Sequence, residues 1–583
     1  MLMGSLHQIR VAMFLFWPIW IPMTAAAAVV VACAVGWTES PIAQNRSVSF
    51  IGTGRKRSRG AVTAVTLLSL FLAGYIAMIL AWQSFTYNDN SVFTLYTLRG
   101  HDIGPQIMPG IGRFLPLGLQ EFNLIRHFTD TITGYHAFRI VQLLIFSGIL
   151  LILDEKLSIG ARAALVILAL ITPSIRTSFA GLIYQEANVL LCIVCLALFV
   201  KRFERTHSVG WAVAAAVCAQ IMLYYKEIAS LLLLGFAVSR LVLRCKNTDE
   251  RSWDHSRLWD KESRLDLCLA FLAVLFLLYY LGVMLPHPTL KYAEDVRRPL
   301  IELIVNYIKL DLLALLLVCA VLFRTYLIVR RKVAPSLLWD GLAFGGAACF
   351  LGYLGLGISA AAKHYSAPID LIGLLYLGHL TSLSAAKLHF WRKLVALALL
   401  LAVILQNFWL SAFVSFEQKS VIHTKDKIAQ VVQARYQNTA GDIRRLFFPF
   451  ASPYIIMEFA HYLDYRGVPV EGITDAAGGL NSVSVVTRAM TKDGPCVGYR
   501  NLICHAAATP NAGDLVIVLP DDNQSLADLT PYLAQGELLF SYEPIIPQWV
   551  YPFIRSLPIV SPGNAQTREL RDGWLHASVT AWK

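Results

Sequence analysis

Residues 55–82, RKRSRG followed by AVTAVTLLSLFLAGYIAMILAW, place a cluster of positive charges directly before an uncharged apolar run. A helix over 61–82 is about 33 Å long, which is enough to cross the roughly 30 Å of hydrocarbon in a bilayer. Basic residues beside a membrane helix favour the cytoplasmic side. This stretch therefore predicts a membrane helix that starts in the cytoplasm.

The composition of the whole chain agrees with a membrane protein. Of its 583 residues, 56% are hydrophobic and only 15% are charged, which a water-soluble globule could not hide from solvent. The net charge is +12, but Lys and Arg form short clusters between apolar runs rather than a stripe along one helical face. These clusters indicate membrane topology, and no nucleic-acid partner is expected.

Further apolar runs follow the first along most of the chain. They lie at 61–82, 136–153, 160–175, 187–200, 209–225, 228–243, 265–285, 303–323, 337–357, 368–386 and 394–413. The sequence therefore predicts a polytopic α-helical membrane protein with about eleven or twelve transmembrane helices, over a domain at 61–414.

Basic clusters occur at connections that share one side of the membrane if the first run crosses from inside to outside. They lie at 55–59, 201–205, 244–264, 330–332 and 387–393. The positive-inside rule places these connections in the cytoplasm. The segment after Val414 is therefore predicted to be extracytoplasmic, in an integral, multi-pass protein of a bacterial inner or plasma membrane.

Residues 1–60 form an N-terminal hydrophobic segment and a basic cytoplasmic stretch, with an uncharged run at 11–37. Cleavage of this run as a signal peptide would leave the basic cluster at 55–59 outside and invert the charge pattern. The charge pattern agrees better with an additional membrane helix, or with a translation start site that was assigned too early.

The tail, 415–583, differs from the rest of the chain. Strand-like pieces occur at 513–520 and 538–542, beside helical stretches at 421–435 and 453–465. These patterns predict a soluble extracytoplasmic α+β domain.

The tail contains two cysteines, Cys496 and Cys504, which close a short loop. Outside the cytoplasm such a pair favours a disulfide, and two free thiols are the alternative.

The longest outer connection, 83–135, contains recurring apolar and aromatic residues, which predict short amphipathic helices at the membrane interface. It opens with Tyr87-Asn88-Asp89-Asn90, continues through His101-Asp102 and reaches Gly112-Arg113-Phe114. Its polar side chains are thereby expected at membrane depth.

This layout resembles that of the GT-C class of glycosyltransferases. The shared features are many helices, a long first outer loop that opens with an acidic residue, and a soluble outer C-terminal domain. These enzymes depend on polyprenyl-phosphate sugars, and the layout resembles that of the mannosyl- and aminoarabinosyl-transferase-like group. Several members carry two adjacent carboxylates in the loop, whereas this chain has only Asp89 between Asn88 and Asn90. The resemblance implies that Asp89 is the catalytic base. The alternative is a helix-end aspartate that faces water.

Other polar residues at the outer ends of the runs are candidates for substrate binding. Lys363 and His364, in Lys-His-Tyr-Ser-Ala-Pro, resemble the segment that the class uses near the donor phosphate, and an anchor at the lipid headgroups is the alternative. The full set of predicted substrate-binding residues is Asp102, Arg113, Glu186, Lys226, Glu227, Lys363 and His364.

The sequence contains no P-loop, GxGxxG, HExxH or nucleophile-elbow pattern in a plausible context, in agreement with a lipid-linked donor that carries its own leaving group. The expected partners are that donor, a glycan, lipid or protein acceptor, and membrane lipids. No cofactor is assigned, and a divalent metal stays open. A transporter or flippase of lipid-linked saccharide and a polysaccharide polymerase or ligase are the alternative functions.

Overall fold

The structure is a computed structural model of the chain. It describes residues 59–81, 83–85, 90–109, 112–155, 157–245, 260–284, 299–358, 360, 363–384, 390–438, 445–451, 453–473, 482–488, 502–520, 531–532, 534–541 and 577–582. The predictions for residues 11–37, Asp89 and Cys496 lie outside these ranges.

The helices account for most of the described chain. They are α1 (Arg59–Ala81), α2 (Asn90–Leu98), α3 (Gln120–Ile125), α4 (Ile132–Leu153), α5 (Ile159–Ile171), α6 (Pro173–Ala180), α7 (Glu186–Thr206), α8 (Val209–Tyr225), α9 (Ala229–Cys245), α10 (Lys261–Tyr279), α11 (Leu300–Leu310), α12 (Leu312–Val329), α13 (Leu337–Leu356), α14 (Ala367–Ser384), α15 (Phe390–Asn438) and α16 (Pro453–Tyr465).

Each apolar run predicted from the sequence overlaps one or two of these helices. Within the described ranges, five helices are long and apolar enough to cross a membrane, namely α1, α4, α10 with its π-helical end, α12 and α13. The bent pair α5–α6 counts as a sixth if it forms one span. The chain is therefore a helical membrane protein with several long apolar helices.

Two predicted runs are not single straight helices. The run at 160–175 bends by 72° between α5 and α6, where Pro173 starts the second helix. Proline has no backbone N–H and is accepted at a helix start rather than in its interior. The run at 303–323 breaks at Asp311, whose side chain caps α12 by accepting the N–H of Ala314 at 3.2 Å.

The last apolar run continues into the tail without interruption. Helix α15 is 49 residues long, from Phe390 to Asn438, and this stretch contains no glycine or proline to end it. The helical stretch predicted at 421–435 is confirmed, and it continues the last apolar run, so the boundary predicted after Val414 falls within one helix.

The tail forms a mixed six-stranded sheet. Its strands are β3 (Arg445–Phe448), β4 (Ser484–Thr487), β5 (Cys504–Ala506), β6 (Leu515–Val518), β7 (Gly536–Ser541) and β8 (Ser578–Trp582). The order is β5-β4-β3-β6-β8-β7; β5, β4, β3 and β6 run parallel, and β8 pairs antiparallel with β6 and β7. The strands predicted at 513–520 and 538–542 are confirmed as β6 and β7.

The first long loop contains α2 and α3, as the amphipathic pattern predicts, and a hairpin that it does not predict. In this hairpin, β1 (Gln106–Met108) pairs antiparallel with β2 (Arg113–Leu115). Phe85, Leu95 and Phe122 share one apolar core with Ile428 of α15 and Phe459 of α16. The loop and the α/β domain therefore lie at the same end of the helical bundle, which we call the loop end.

Described residues at or beside three connections that the charge pattern assigns to the cytoplasm contact one another at the other end of the bundle, which we call the basic end. Arg205 pairs with Glu155 at 2.9 Å, and Arg240 pairs with Glu204 and Asp266, both at 2.7 Å. These contacts join connections that the charge pattern assigns to one side of the membrane.

Candidate functional site

Two ion pairs lie where the helices end beneath the first loop. Lys226 follows α8 directly, and its Nζ is 2.7 Å from Oε1 of Glu186, the first residue of α7. Lys226 is 8% exposed and Glu186 is 1% exposed. Charges this far from water need a partner. The pair therefore fixes the end of α8 against the start of α7.

The second ion pair joins the loop hairpin to the bundle. Arg113 of β2 places Nη1 3.6 Å from Oε2 of Glu227, while Oε1 of Glu227 accepts the backbone N–H of Phe114 at 3.2 Å. The buried ring of Phe114 packs against Tyr279, with ring centroids 4.7 Å apart. The guanidinium is thus held at the mouth of the helical bundle.

Tyr365 connects these two pairs. Its hydroxyl accepts a hydrogen bond from Nη2 of Arg113 at 3.4 Å, and its ring lies 4.4 Å from Nζ of Lys226. The neighbouring His364 packs on Tyr184, with ring centroids 4.5 Å apart. We call Arg113, Glu186, Lys226, Glu227 and Tyr365 the loop-end cluster.

Burial and charge together set the protonation of this region. Burial lowers the pKa of Lys226, but the charges of Glu186, Tyr365 and Glu227 together raise it by more, so the side chain stays an ammonium. Burial lowers the pKa of His364 to about 4, so the imidazole is neutral at pH 7. Burial raises the pKa of Tyr365, but Lys226 and Arg113 reverse the shift, and its net direction is downward. The cluster therefore offers two cations and a polarised phenol.

A buried hydrogen-bond network connects this cluster to the helical bundle. Arg139 of α4 pairs with Glu121 of α3 at 3.2 Å and donates to Gln142 at 2.8 Å and to the carbonyl of Leu182. Asn188 of α7 donates to the same Glu121 carboxylate at 2.9 Å. Because Asn188 lies half a turn from Glu186, the network orients the start of α7.

A second buried polar group lies at the break between α11 and α12. The buried carboxyl groups of Asp311 and Asp370 interact electrostatically, and Ser174 and Ser366 donate to Asp370. Ser366 adjoins Tyr365 in the 3₁₀ turn Lys363–Ser366. These side chains therefore help to hold the 3₁₀ turn in place.

The structure thus brings together five of the predicted residues: Arg113, Glu186, Lys226, Glu227 and His364. It does not bring Asp102 to them. Asp102 is 71% exposed at its side chain and pairs with Arg126 at 2.6 Å, and its role in substrate binding stays a prediction. The backbone of Lys363 lies in the 3₁₀ turn, and its side chain is outside the described part of the structure.

Sequence reasoning missed Tyr365 and the Arg139 network. Tyr365 lies inside the Lys-His-Tyr-Ser turn that the sequence already singles out, so its position was the available signal. Arg139 interrupts an apolar run, and an arginine inside a predicted span marks a polar partner in the bundle.

No metal centre accompanies the cluster among the residues that the structure describes, since they contain no group of three or more His, Cys, Asp or Glu that could hold a metal ion.

The long apolar helices and the attached α/β domain define the class of the chain as a multi-pass helical membrane protein. Neither a family model, nor a curated protein, nor a solved structure matches it.

Proposed function

We propose that the chain is a glycosyltransferase that moves a sugar from a polyprenyl-phosphate-linked donor to a glycan, lipid or protein acceptor. The observation that carries this proposal is the loop-end cluster, in which two cations are held together at the mouth of an apolar helical bundle. A lipid phosphate has its charged head at the membrane surface and its tail in the hydrocarbon. Its head would therefore lie beside these two cations.

The cluster supplies what a departing phosphate requires. Arg113 offers a planar fork of N–H donors, and Lys226 offers a compact positive charge. Both are linked through Tyr365, whose hydroxyl is a further donor. Because the surroundings exclude water, these groups stabilise developing negative charge more strongly than they would in solution.

The attacking hydroxyl of the acceptor needs a base, and we propose Asp89 for that role. Asp89 itself lies outside the described residues. The described elements on either side support the choice: Phe85 packs on Tyr135 and Tyr465, and α2 begins at Asn90 and packs against α16. Glu186 and Glu227 are engaged with the two cations, so they are better suited to orient them than to take a proton.

The proposal includes eleven or twelve spans with the α/β domain outside the cytoplasm. Two features support this topology: each predicted run overlaps a described helix, and Arg205 and Arg240 form ion pairs with Glu155 and Glu204 at the end opposite the first loop. Cys504 is disulfide-bonded, as expected in an oxidising compartment; its predicted partner Cys496 lies outside the described residues, so the pairing stays a prediction.

The test uses membranes that contain the full chain and a panel of labelled polyprenyl-phosphate monosaccharides, with transfer and release of polyprenyl phosphate as readouts. Arg113→Ala and Asp89→Asn each lower the rate on the order of 10²-fold or more. Arg126→Ala is the matched control, because it removes an arginine of the same loop that pairs with exposed Asp102 instead of the cluster. Equal rates in wild type, Arg113→Ala and Asp89→Asn contradict the proposal.

A transporter or flippase of lipid-linked saccharide is the second candidate. The broken pair α11–α12, the bent pair α5–α6 and the buried carboxyls of Asp311 and Asp370 favour it, because discontinuous helices with ionisable groups are typical of transport sites. The same experiment separates the two functions. A transporter moves the intact labelled donor across the vesicle membrane and releases no polyprenyl phosphate.

A further inference from the structure

Three polar side chains from different helices meet in a row at the basic end of the bundle. Asp154 ends α4, His379 lies in α14, and Ser336 precedes α13. Oδ2 of Asp154 is 3.0 Å from Nδ1 of His379, and Oγ of Ser336 is 3.1 Å from its Nε2. The imidazole therefore bridges a carboxylate and a hydroxyl through its two nitrogens.

This order of groups is the arrangement that activates a serine nucleophile. A carboxylate accepts the Nδ1 proton of the imidazole and so fixes the tautomer in which Nε2 carries the lone pair. That lone pair accepts the hydroxyl proton of Ser336. Trp339 stacks on the imidazole, with ring centroids 5.1 Å apart, and restrains its orientation.

The backbone around Ser336 is held in place by other groups. Its N–H donates to Asp340 Oδ2 at 2.6 Å, and Arg324 donates to the carbonyl of Ala334 at 2.7 Å. Ser336 occupies the N-cap position of α13, but its side chain makes no capping hydrogen bond and instead contacts His379. Because α13 begins directly after Ser336, we assign the N–H groups of its first turn as the donors to an oxyanion formed there.

The accessibility of the three groups also agrees with catalysis. His379 and Asp154 are buried, whereas Ser336 is half-buried. The apolar neighbours Val333 and Leu337 are half-buried too, and exposed Arg330 and Lys332 lie just before them in the chain. A substrate that fits these surroundings has an acyl chain and a negatively charged head.

We propose that Ser336, His379 and Asp154 form a second site at the basic end, which cleaves carboxylic esters of anionic amphiphiles by way of an acyl-serine. Oγ of Ser336 attacks the ester carbonyl, and its proton passes to Nε2 of His379. The carbon–oxygen bond to the alcohol breaks, and the alcohol leaves with that proton. Water then hydrolyses the acyl-serine by the same route and releases the fatty acid.

The first test labels the purified full chain with an alkyl fluorophosphonate, which forms a bond to an activated serine and releases fluoride. Wild type is labelled at Ser336, and Ser336→Ala is not. Ser239→Ala is the matched control, because Ser239 is also a half-buried serine, in α9, with its hydroxyl on the carbonyl of Phe236. Absence of labelling in folded wild type, or labelling that persists in Ser336→Ala, overturns the proposal.

The second test separates catalysis from a merely structural bridge between helices. Asp154 is a positioning residue, so Asp154→Asn slows labelling on the order of 10²-fold or more, and Asp154→Glu recovers part of the rate. The rate of hydrolysis of a labelled anionic phospholipid in vesicles is expected to fall in the same order, from wild type to Asp154→Glu to Asp154→Asn. If Asp154→Asn lowers the thermal unfolding midpoint while the labelling rate is unchanged, the row of groups only joins helices.

Discussion

At the residue scale, the most informative contact is the buried pair of Lys226 and Glu186. Removing one partner leaves the other charge buried without compensation, which costs about 3–5 kcal/mol, whereas replacing both partners with apolar residues of similar size is often neutral. The same pair can therefore be tested for its structural and its chemical role separately.

We expect Lys226→Met to lower the free energy of unfolding by about 3–5 kcal/mol. The double variant Lys226→Met, Glu186→Met is expected to return close to wild-type stability. Sugar transfer is expected to fail in both variants, because both lack the cation. Recovery of transfer in the double variant would show that Lys226 has only a structural role.

A second residue-scale prediction concerns His364. In the folded chain its pKa is lowered from 6.5 to about 4, chiefly by burial and also by Lys226 and Arg113, while Glu186 opposes the shift. Between these values the unfolded chain binds more protons than the folded chain. The contribution of neutral His364 to the free energy of unfolding is thus complete above about pH 6.5 and is lost as the pH falls towards about 4.

The measurement is the thermal unfolding midpoint of wild type and His364→Gln across this range. The variant is expected to lose less stability than wild type on acidification, because its side chain does not titrate. Parallel decreases in the two proteins would show that protonation of His364 does not contribute.

At the element scale, the contact of α9 with α13 depends on small residues. Gly341 and Gly345 form a GxxxG pattern in α13, a spacing that allows close helix packing in membranes. A Cβ at Gly345 would lie 2.5 Å from the carbonyl oxygen of Leu232 in α9. The backbone of α9 cannot yield as a flexible side chain would.

Gly345→Ala is therefore expected to destabilise the protein by about 1–3 kcal/mol, from the cost of overpacking. Gly355→Ala is the matched control in the same helix, since a Cβ there has nothing within 4 Å. The measurement is the free energy of unfolding of both variants in bicelles of the same composition. An equal change in the two variants would mean that the contact between α9 and α13 is looser than described.

At the scale of the whole molecule, the first loop and the α/β domain share a core and cannot be treated as separate parts. Leu95 of α2 belongs to that core and is only 2% exposed, whereas Leu124 of α3 is 57% exposed. Arg99 adds an ion pair to Asp464 and a hydrogen bond to His461 across the same interface.

Leu95→Ala is expected to cost about 2–5 kcal/mol, because it leaves a cavity in the shared core. Leu124→Ala is expected to change little. Hydrogen exchange of the amides in β3 and β6 provides the readout, and it should accelerate in the first variant only. Unchanged exchange in Leu95→Ala would show that the domain does not depend on the loop.

The sequence by itself determined the apolar runs, the basic clusters between them and the presence of a tail with both helices and strands, whereas it predicted an α+β tail and not the largely parallel sheet. Such properties depend on local composition and on the short period of helices and strands, so they can be read from neighbouring residues. It also identified Arg113, Glu186, Lys226, Glu227 and His364, because ionisable groups stand out beside apolar runs.

Only the tertiary structure decided which of these residues meet. Tyr365 joins the cluster, and Asp102 turns away to Arg126, through contacts between segments far apart in the chain. The break at Asp311 and the row of Ser336, His379 and Asp154 depend in the same way on the packing of separate helices. Hydrogen bonds and ion pairs of this kind require atoms within a few ångströms, and the order of residues along a chain does not specify such distances.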